Sequence, residues 1–555
     1  MLIKVLSDMA LVIEVADAPD ISGLAAVRTL VRRLTGFTWL AGEEIVAGLT
    51  AVAVHLRSDR DIASFRDRLL IALAEPDSAP AESGEERERV IPVVYGSDEG
   101  PDLQRVADHA GISVEEVIRR HGESEYRVAT LGFAPGFPYL SGLDPALACP
   151  RLDSPRLRVP AGAVGIGGTQ TGVYPQELPG GWNLIGRTNQ RLFDPDAVEP
   201  SWFRPGDRVR FERVPELLFS PLTNPKTLPQ PRMAAAPNAR VITVEEGGAQ
   251  TTVQDLGRPG YQLVGVAPGG ALNQRALAVA NLLVGNAAGA PALEWALQGP
   301  VLCFQAKVLV AITGTPGLAR PFGQPFWMRP GEVLDLRKLP GGGRGYLAVG
   351  GGFYVPVKLG SASTHLSARF GGFRGRALRS GDQLMVGPSK VRDIRRGWGL
   401  ANSMLRAPSD ETTEIRVIPG PELESMGSTV WQTLLESEYQ ISADSNRMGL
   451  RLEGPVMKPS IQVEMTSQPV ALGAIQLPPN GQPLVLMADR QSVGGYPRIA
   501  GVISADISLL AQVPLGGNVS FVEVTLSEAI AARRRAARDL GFLQVGLRNR
   551  LISAS

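Results

Sequence analysis

Along residues 1–90 the apolar and polar positions change period several times. LIKVLSD and ALVIEVAD alternate as two strands, whereas ISGLAAVRTLVRRL repeats its apolar positions at helical spacing. EEIVAGLTAVAVHL returns to strand character, DIASFRDRLLIAL reads as a second helix, and VIPVVYG as another strand. That β-β-α-β-α-β order predicts a split, ferredoxin-like α+β sandwich. DLQRVADHAGISVEEVIRRHG (102–122) then reads as two short helices about a glycine. From 125 to 213 short strands are separated by Gly and Pro and end in RPGDRVRFERV, so 91–213 is predicted to close into a compact β-barrel.

Residues 214–239 are proline-rich and patternless, the composition of a linker. Two further β-rich blocks follow at 240–398 and 399–526, each predicted as a barrel. Residues 527–555 read as an exposed terminal helix and tail. VPAGAVGIGGTQTGVYP (159–175) and LPPNGQPLVLMADRQSVGGYP (477–497) share a Pro–Gly start, an apolar strand, Gln-Thr/Ser and a closing Tyr-Pro. This echo predicts one barrel unit used on both sides of the linker.

Length adds that 555 residues require about three or four cores. Charge adds an exclusion. Fifty-six basic residues against fifty-five acidic ones give no footprint for nucleic acid or an anionic membrane. The same balance argues against a DNA-reading role for 102–122, where Asp102, Asp108, Glu115 and Glu116 offset Arg105, Arg119 and Arg120. Cys149 and Cys303 have neither metal nor disulfide spacing and fit a reducing cytoplasm. The apolar run VLCFQAKVLVAITG is broken by Lys307 and too short to span a bilayer, and the N-terminus alternates unlike a signal peptide. A cytoplasmic location is the expectation.

Common catalytic signatures are missing. The chain has no P-loop and no G-x-S-x-G elbow. GIGGTQTG lacks the third glycine of a dinucleotide fingerprint. His55, His109, His121 and His365 lack zinc spacing, so no metal site is expected. Four stretches remain. HGESEYRVATLGFAPGFPYLSGLD (121–144) sets His121 before a Phe-rich turn, with a core-facing hairpin as the plain alternative. VPAGAVGIGGTQTGVYPQELPGGWNLIGRT (159–188) carries Gln170, Tyr174, Trp182, Asn183 and Arg187 beside glycine N–H groups that could nest an anion. In 251–286, Gln254, Asp255 and Arg258 precede a helix with Asn273 near its N-cap, which is an anion site or simply a capped helix. SNRMGLRLEGP and ADRQSVGGYP offer Arg447, Arg451, Glu453, Asp489, Arg490 and Gln491, with surface pairing as the alternative.

LGFAPGFPYLSGLD with the glycine-rich 159–188 stretch resembles the first of the proteins once called allophanate hydrolase subunits 1 and 2, now mostly assigned as the B and C components of 5-oxoprolinase. TTVQDLGRPGYQLVGV, ANLLVGN, YLAVGGG, SNRMGLRLEGP and GGYPRIA resemble the second, in the same order. The pair is also similar to the carboxyltransferase region of urea carboxylase. The resemblance implies a mainly β, α+β chain: a ferredoxin-like N-terminal domain, then cyclophilin-like barrels. Asn273 stands where the family usually has Asp, and QSVGGYP stands for a more typical QTTGGYP. Asn cannot serve as a general base, so this position orients a ligand.

The resemblance implies ATP, with Mg2+, and a separate partner resembling the A component of 5-oxoprolinase; together they open a small cyclic amide. Within it His121, Gln170, Arg187, Asp255 and Arg258 take the catalytic roles. Tyr174, Trp182, Gln254, Asn273, Arg447, Gln491 and Tyr496 line the substrate or nucleotide. The alternatives are a biotin-dependent urea or amide carboxyltransferase and a regulator resembling histidine-kinase inhibitors. Against the first, the nearest string to a biotinyl A-M-K-M hairpin is GPVMKPS, so no covalent biotin is expected on this chain. Against the second, fusing inhibitor-like and antagonist-like halves makes a poor switch. A homo-oligomer is compatible with the sequence.

Overall fold

The N-terminal unit of the computed structural model is a four-stranded sheet with two helices. Its elements are β1 (Leu2–Ser7), β2 (Ala10–Glu14), α1 (Ile21–Gly36), β3 (Glu44–Ala47), β4 (Ala51–His55) and α2 (Ile62–Ala74). The strand order is β1-β2-β4-β3, antiparallel throughout. Two sequence expectations are corrected here. EEIVAGLTAVAVHL is a hairpin and not one strand, because the chain turns back at Gly48, whose N–H bonds Ala51 O at 2.8 Å. VIPVVYG leaves the unit altogether and enters the next barrel, so the expected β-β-α-β-α-β order is replaced by β-β-α-β-β-α.

The unbroken apolar runs of β2 and β4 have a reason. Alternate side chains leave a strand on opposite faces, and here both faces are covered. Leu11, Ile13, Val52 and Val54 meet α1 and α2, while Ala10, Val12, Ala51 and Ala53 meet the aromatic side of the first barrel. The structure describes residues 1–57, 60–76, 87–217, 240–314, 322–337, 343–394, 399–400, 408, 411–459, 465–548 and 550–553. Most of the expected linker, 218–239, lies outside the described residues.

The first barrel uses β5 (Glu88–Tyr95), β6 (Tyr126–Leu131), β7 (Pro138–Ser141), β9 (Ala163–Gly167), β10 (Gln170–Val173), β12 (Asn183–Arg187) and β13 (Arg208–Arg213), with β8 (Arg156–Val159) and β11 (Leu178–Gly180) forming a side ribbon. It closes in the order β5-β12-β9-β10-β7-β6-β13, with β5 and β13 parallel. The helices predicted over 102–122 are α3 (Leu103–Ala110) and α4 (Val114–Glu123). Gly111 ends α3 at φ 66°, and Ser113 caps α4 through Glu116 N at 3.2 Å. They sit against the barrel through Val106, Val117 and Ile118, a structural role.

A second closed barrel repeats this ring strand for strand: Thr412–Pro419, Arg498–Val502, Ala474–Gln476, Leu484–Leu486, Gly449–Glu453, Glu438–Ile441 and Asn518–Glu523, with its first and last strands again parallel. Helices Leu423–Met426 and Ser428–Glu436 occupy the place of α3 and α4. The duplicated unit read from the sequence is therefore present, although the quoted echo is offset. It matches β9 to Leu484–Leu486, whereas the ring matches β10 to that strand.

Residues 240–398 were expected to form a barrel; most of their described strands instead make two open sheets, while Val391–Ile394 pairs with Leu551–Ser553 in a two-stranded ribbon. One sheet has four strands, the other five, and they enclose Trp295, Leu302, Phe304 and Leu347. Helix α5 (Gln274–Leu283) covers the outer side of the five-stranded sheet through Leu277 and Leu283. The C-terminal helix Leu526–Arg548 is not wholly exposed as expected. Ala529 and Ala532 are buried against Ile418 and Ile503, and Arg533 donates to Asp8 O at 2.8 Å in the N-terminal unit.

Candidate functional site

Three loops from three units meet. Gly136 N, in the LGFAPGF turn of the first barrel, donates to Val264 O of the sandwich at 3.0 Å. Ser492 Oγ of the second barrel donates to Leu131 O at 3.4 Å. The approach demands glycine: a Cβ on Gly132 would lie 2.3 Å from Val493 Cγ2, and one on Gly265 would lie 2.5 Å from Ala134 O. Arg490 extends the junction by donating to Gln262 Oε1 at 2.9 Å, and Gln262 Nε2 donates to Glu44 Oε2 of β3 at 2.7 Å.

Beside it lies a buried charged network. Arg447, 5 % exposed, forks onto Asp489 (Nε–Oδ2 2.8 Å, Nη2–Oδ1 3.0 Å) and also donates to Glu294 Oε1 and to Gly270 O at 2.6 Å. Burial opposes the guanidinium charge, but the Asp489 and Glu294 carboxylates outweigh it and hold Arg447 above its ordinary pKa. Glu294 lies in strand Ala292–Ala296, whose other face sends Leu293 and Trp295 into the sandwich core. Its Oε2 accepts from Leu272 N and Tyr346 Oη, both at 2.8 Å, just before α5. A carboxylate suits that place because the helix N-terminus is electropositive. Asn273 caps the helix, its Oδ1 accepting from Ala276 N at 2.7 Å, and its N–H donates to Tyr346 Oη at 2.9 Å.

Asp255 ends the neighbouring strand Gln250–Gln254. Its Oδ1 accepts from Gly257 N (2.8 Å), Ser361 Oγ (2.6 Å) and Ser363 Oγ (2.5 Å), and its Oδ2 from Ala362 N (2.6 Å). With both oxygens engaged by the loop at 361–363, Asp255 is a clamp and not a free base. Arg258 is 1 % exposed, donates through Nη2 to Ser363 O, and lies 4.8 Å from the Phe370 ring centroid. Burial lowers it to about 10, so it stays charged at neutral pH. Gln254 Nε2 donates to Thr252 Oγ1 at 3.0 Å and Thr364 O at 3.2 Å.

Gln491 lies between Arg490 and Ser492 at the junction, and the remaining proposed residues sit elsewhere. His121 is fully buried between Tyr95 Oη (Nδ1, 2.8 Å) and Thr171 Oγ1 (Nε2, 3.0 Å), and burial holds its pKa at about 3. The Thr171 hydroxyl proton goes to Gly165 O at 3.0 Å, so Nε2 carries the imidazole proton and donates to Thr171 while Nδ1 accepts from Tyr95. This geometry makes His121 a core hydrogen-bond bridge. Gln170 and Arg187 do not converge: Gln170 pairs with Gly167 and Arg187 with Ala163, at opposite ends of β9, roughly 13 Å apart by strand rise. Arg187 is half-buried on Ala161 O (2.9 Å) and Glu99 Oε2 (3.2 Å). Tyr174 and Trp182, 1 % and 5 % exposed, pack with Phe137 in the core beneath the N-terminal sheet. Gln491 is half-buried, and Tyr496 is 42 % exposed on the loop before strand Arg498–Val502.

Glu294 and Tyr346 escaped the sequence reading, which weighed His365 only as a zinc ligand. The usable signal for Glu294 was a lone carboxylate inside the apolar strand ALEWA. Among the described residues no three His, Cys, Asp or Glu side chains converge as a metal cage, and no helix is long and apolar enough to cross a membrane.

The family model for the carboxyltransferase domain, subdomain C and D, matches residues 1–203, and that for subdomain A and B matches residues 264–523. The C component of 5-oxoprolinase from Escherichia coli (strain K12) is 41% identical over 304 residues, which are 54% of this chain and 96% of that protein. The B component from Escherichia coli O157:H7 is 44% identical over 207 residues, 37% of this chain and 93% of that protein. The crystal structure of TTHA0988 superposes with a TM-score of 0.78 at 35% identity, covering 92% of this chain and 99% of its own. The urea amidolyase of Lachancea kluyveri is 32% identical over 330 residues, only 17% of its length. The chain belongs to the carboxyltransferase-domain family and joins in one polypeptide counterparts of the B and C components of 5-oxoprolinase.

Proposed function

We propose that this chain is the fused B/C component of an ATP-dependent 5-oxoprolinase, opening 5-oxoproline to L-glutamate with a separate protein of the A type. The observation that carries the reading is that counterparts of both components, matched over nearly their whole lengths, meet through their own motif loops. A lactam amide is resonance-stabilised and resists water. ATP would supply a phosphoryl group to its carbonyl oxygen, and such transfer depends chiefly on positioning and charge neutralisation. Arg258, whose Nε and Nη1 have no acceptor, is the donor in the described site that suits an oxyanion. Mg2+ would arrive on the nucleotide phosphates, as is usual for that ion.

The barrels are read as cyclophilin-like and the protein as cytoplasmic. The carboxyltransferase alternative is weaker, because the urea amidolyase match covers a small part of that protein. The test is replacement. The fused chain, added to an A-type protein without separate B and C components, should restore ATP-dependent consumption of 5-oxoproline. An unchanged background rate would overturn the reading.

A further inference from the structure

Residues 363–365 gather three buried polar side chains whose hydrogen-bonding capacity is only partly used. Arg258 holds Ser363 O through Nη2, yet its Nε and Nη1 have no acceptor. Gln254 holds Thr364 O through Nε2 at 3.2 Å, yet its Oε1 has no donor. His365 stacks on Phe370 with centroids 5.2 Å apart, the same ring that Arg258 covers, and its Nε2 has no partner. All three residues are at least nine-tenths buried.

Unmet donors and acceptors in such a place are costly, and native proteins pair nearly all of them. The neighbouring carboxylates do not satisfy Arg258. Asp255 is filled by its four donors, and Asp489 is oriented by the Arg447 fork and makes no hydrogen bond to Arg258. A flipped Gln254 amide would set its oxygen against Thr364 O, so the amide keeps its bonded orientation and Oε1 stays the orphan. The backbone of Gly269 closes on the guanidinium: a Cβ there would stand 3.3 Å from Arg258 Nη1 and 3.5 Å from Asp489 Oδ1, so the glycine keeps that face of Arg258 free of a side chain. Leu256, Pro259 and Gly260 flank Arg258 and are exposed, so the loop that carries it lies at the surface.

We infer that Gln254, Arg258 and His365 form a binding site for a small molecule that combines an oxyanion with an N–H donor. The oxyanion, a carboxylate or a phosphoryl group, lies on Arg258. The N–H meets Gln254 Oε1, and the neutral His365 edge supplies the remaining polar contact. 5-Oxoproline carries both features, and naming it as the ligand rests on the function proposed above.

Calorimetry on the intact chain with four probes separates the parts: 5-oxoproline, 2-pyrrolidinone (the same lactam without a carboxylate), inorganic phosphate, and ATP. Arg258→Gln should weaken 5-oxoproline by about 10- to 100-fold and leave 2-pyrrolidinone unchanged, the usual scale for a hydrogen bond to a charged group. Gln254→Leu should weaken both lactams and spare phosphate. Arg258→Lys, which keeps the charge, should recover part of the loss, and melting without ligand verifies that each variant folds. Dependence of phosphate or ATP, but not 5-oxoproline, on Arg258 would keep the oxyanion site and count against the lactam as its ligand. Equal 5-oxoproline binding by wild type and both variants would overturn the site while leaving the lactam reading standing. Binding of no probe by the wild type would also overturn it, leaving water as the partner of these groups.

Discussion

Arg447 and Asp489, 42 residues apart, form a two-pronged ion pair at 2.8 and 3.0 Å inside the second barrel's mouth, and the same guanidinium reaches Glu294 of the sandwich. The pair thus fastens one unit to another without solvent to screen it. Removing one member of a buried pair strands the other charge, which costs about 3–5 kcal/mol. Asp489→Ala is expected to lose stability on that scale in urea unfolding. A loss below about 1 kcal/mol, the range of exposed pairs, would show that the network is solvated.

Acid should weaken the fold through its buried histidines. Burial lowers His121 from 6.5 to about 3 and His365 to about 4, the latter with Asp489 opposing and Arg258 and Arg447 assisting. Both folded-state values lie below the unfolded one, so the unfolded chain binds more protons between them. Stability from these residues is complete above about pH 6.5 and falls as pH drops towards 4 and then 3, by up to about 1.4 kcal/mol per pH unit for each ring. His121→Gln should flatten the slope of stability against pH by about one proton over that window. An unchanged slope would show that His121 titrates normally in the folded protein.

The two halves should stay together when the chain between them is cut. Leu49 N bonds Ser467 O at 2.9 Å, Gln468 bonds Thr50, Lys358 pairs with Asp196, and Phe193 meets Phe370 at 5.7 Å, all across that division. A specific protease site placed within 218–239 should yield fragments that co-elute on size exclusion after complete cleavage. Separate elution would mean that these contacts do not hold the halves unaided.

The strands and helices were legible where periodicity was strong, as in α1, α2, α3 and α4. The sandwich was not. Its turns and apolar strands resemble those of a barrel, and only pairing between distant strands decides whether a sheet closes. VIPVVYG was read correctly as a strand and assigned to the wrong unit for the same reason. Motif context singled out Arg447, Asp255 and Arg258, which the fold gathers around Gly270 and the 361–363 loop. It also promoted Tyr174 and Trp182, because an aromatic residue that packs beneath a neighbouring sheet looks in sequence like one that lines a pocket. Tyr346 was missed because its partners, Glu294 and Asn273, lie far along the chain, and His365 was weighed only as a zinc ligand.

On the proposed function, this chain supplies both the B and the C functions of a lactam-opening enzyme. The most direct measurement supplies the purified chain with an A-type protein, ATP and 5-oxoproline, and follows glutamate and phosphate together. Both should be released in equal amounts, and only when chain, partner and ATP are all present. No product should form when urea, bicarbonate and a biotinylated carrier replace the lactam. Carboxylation of urea by that mixture, with no glutamate from 5-oxoproline, would contradict that function.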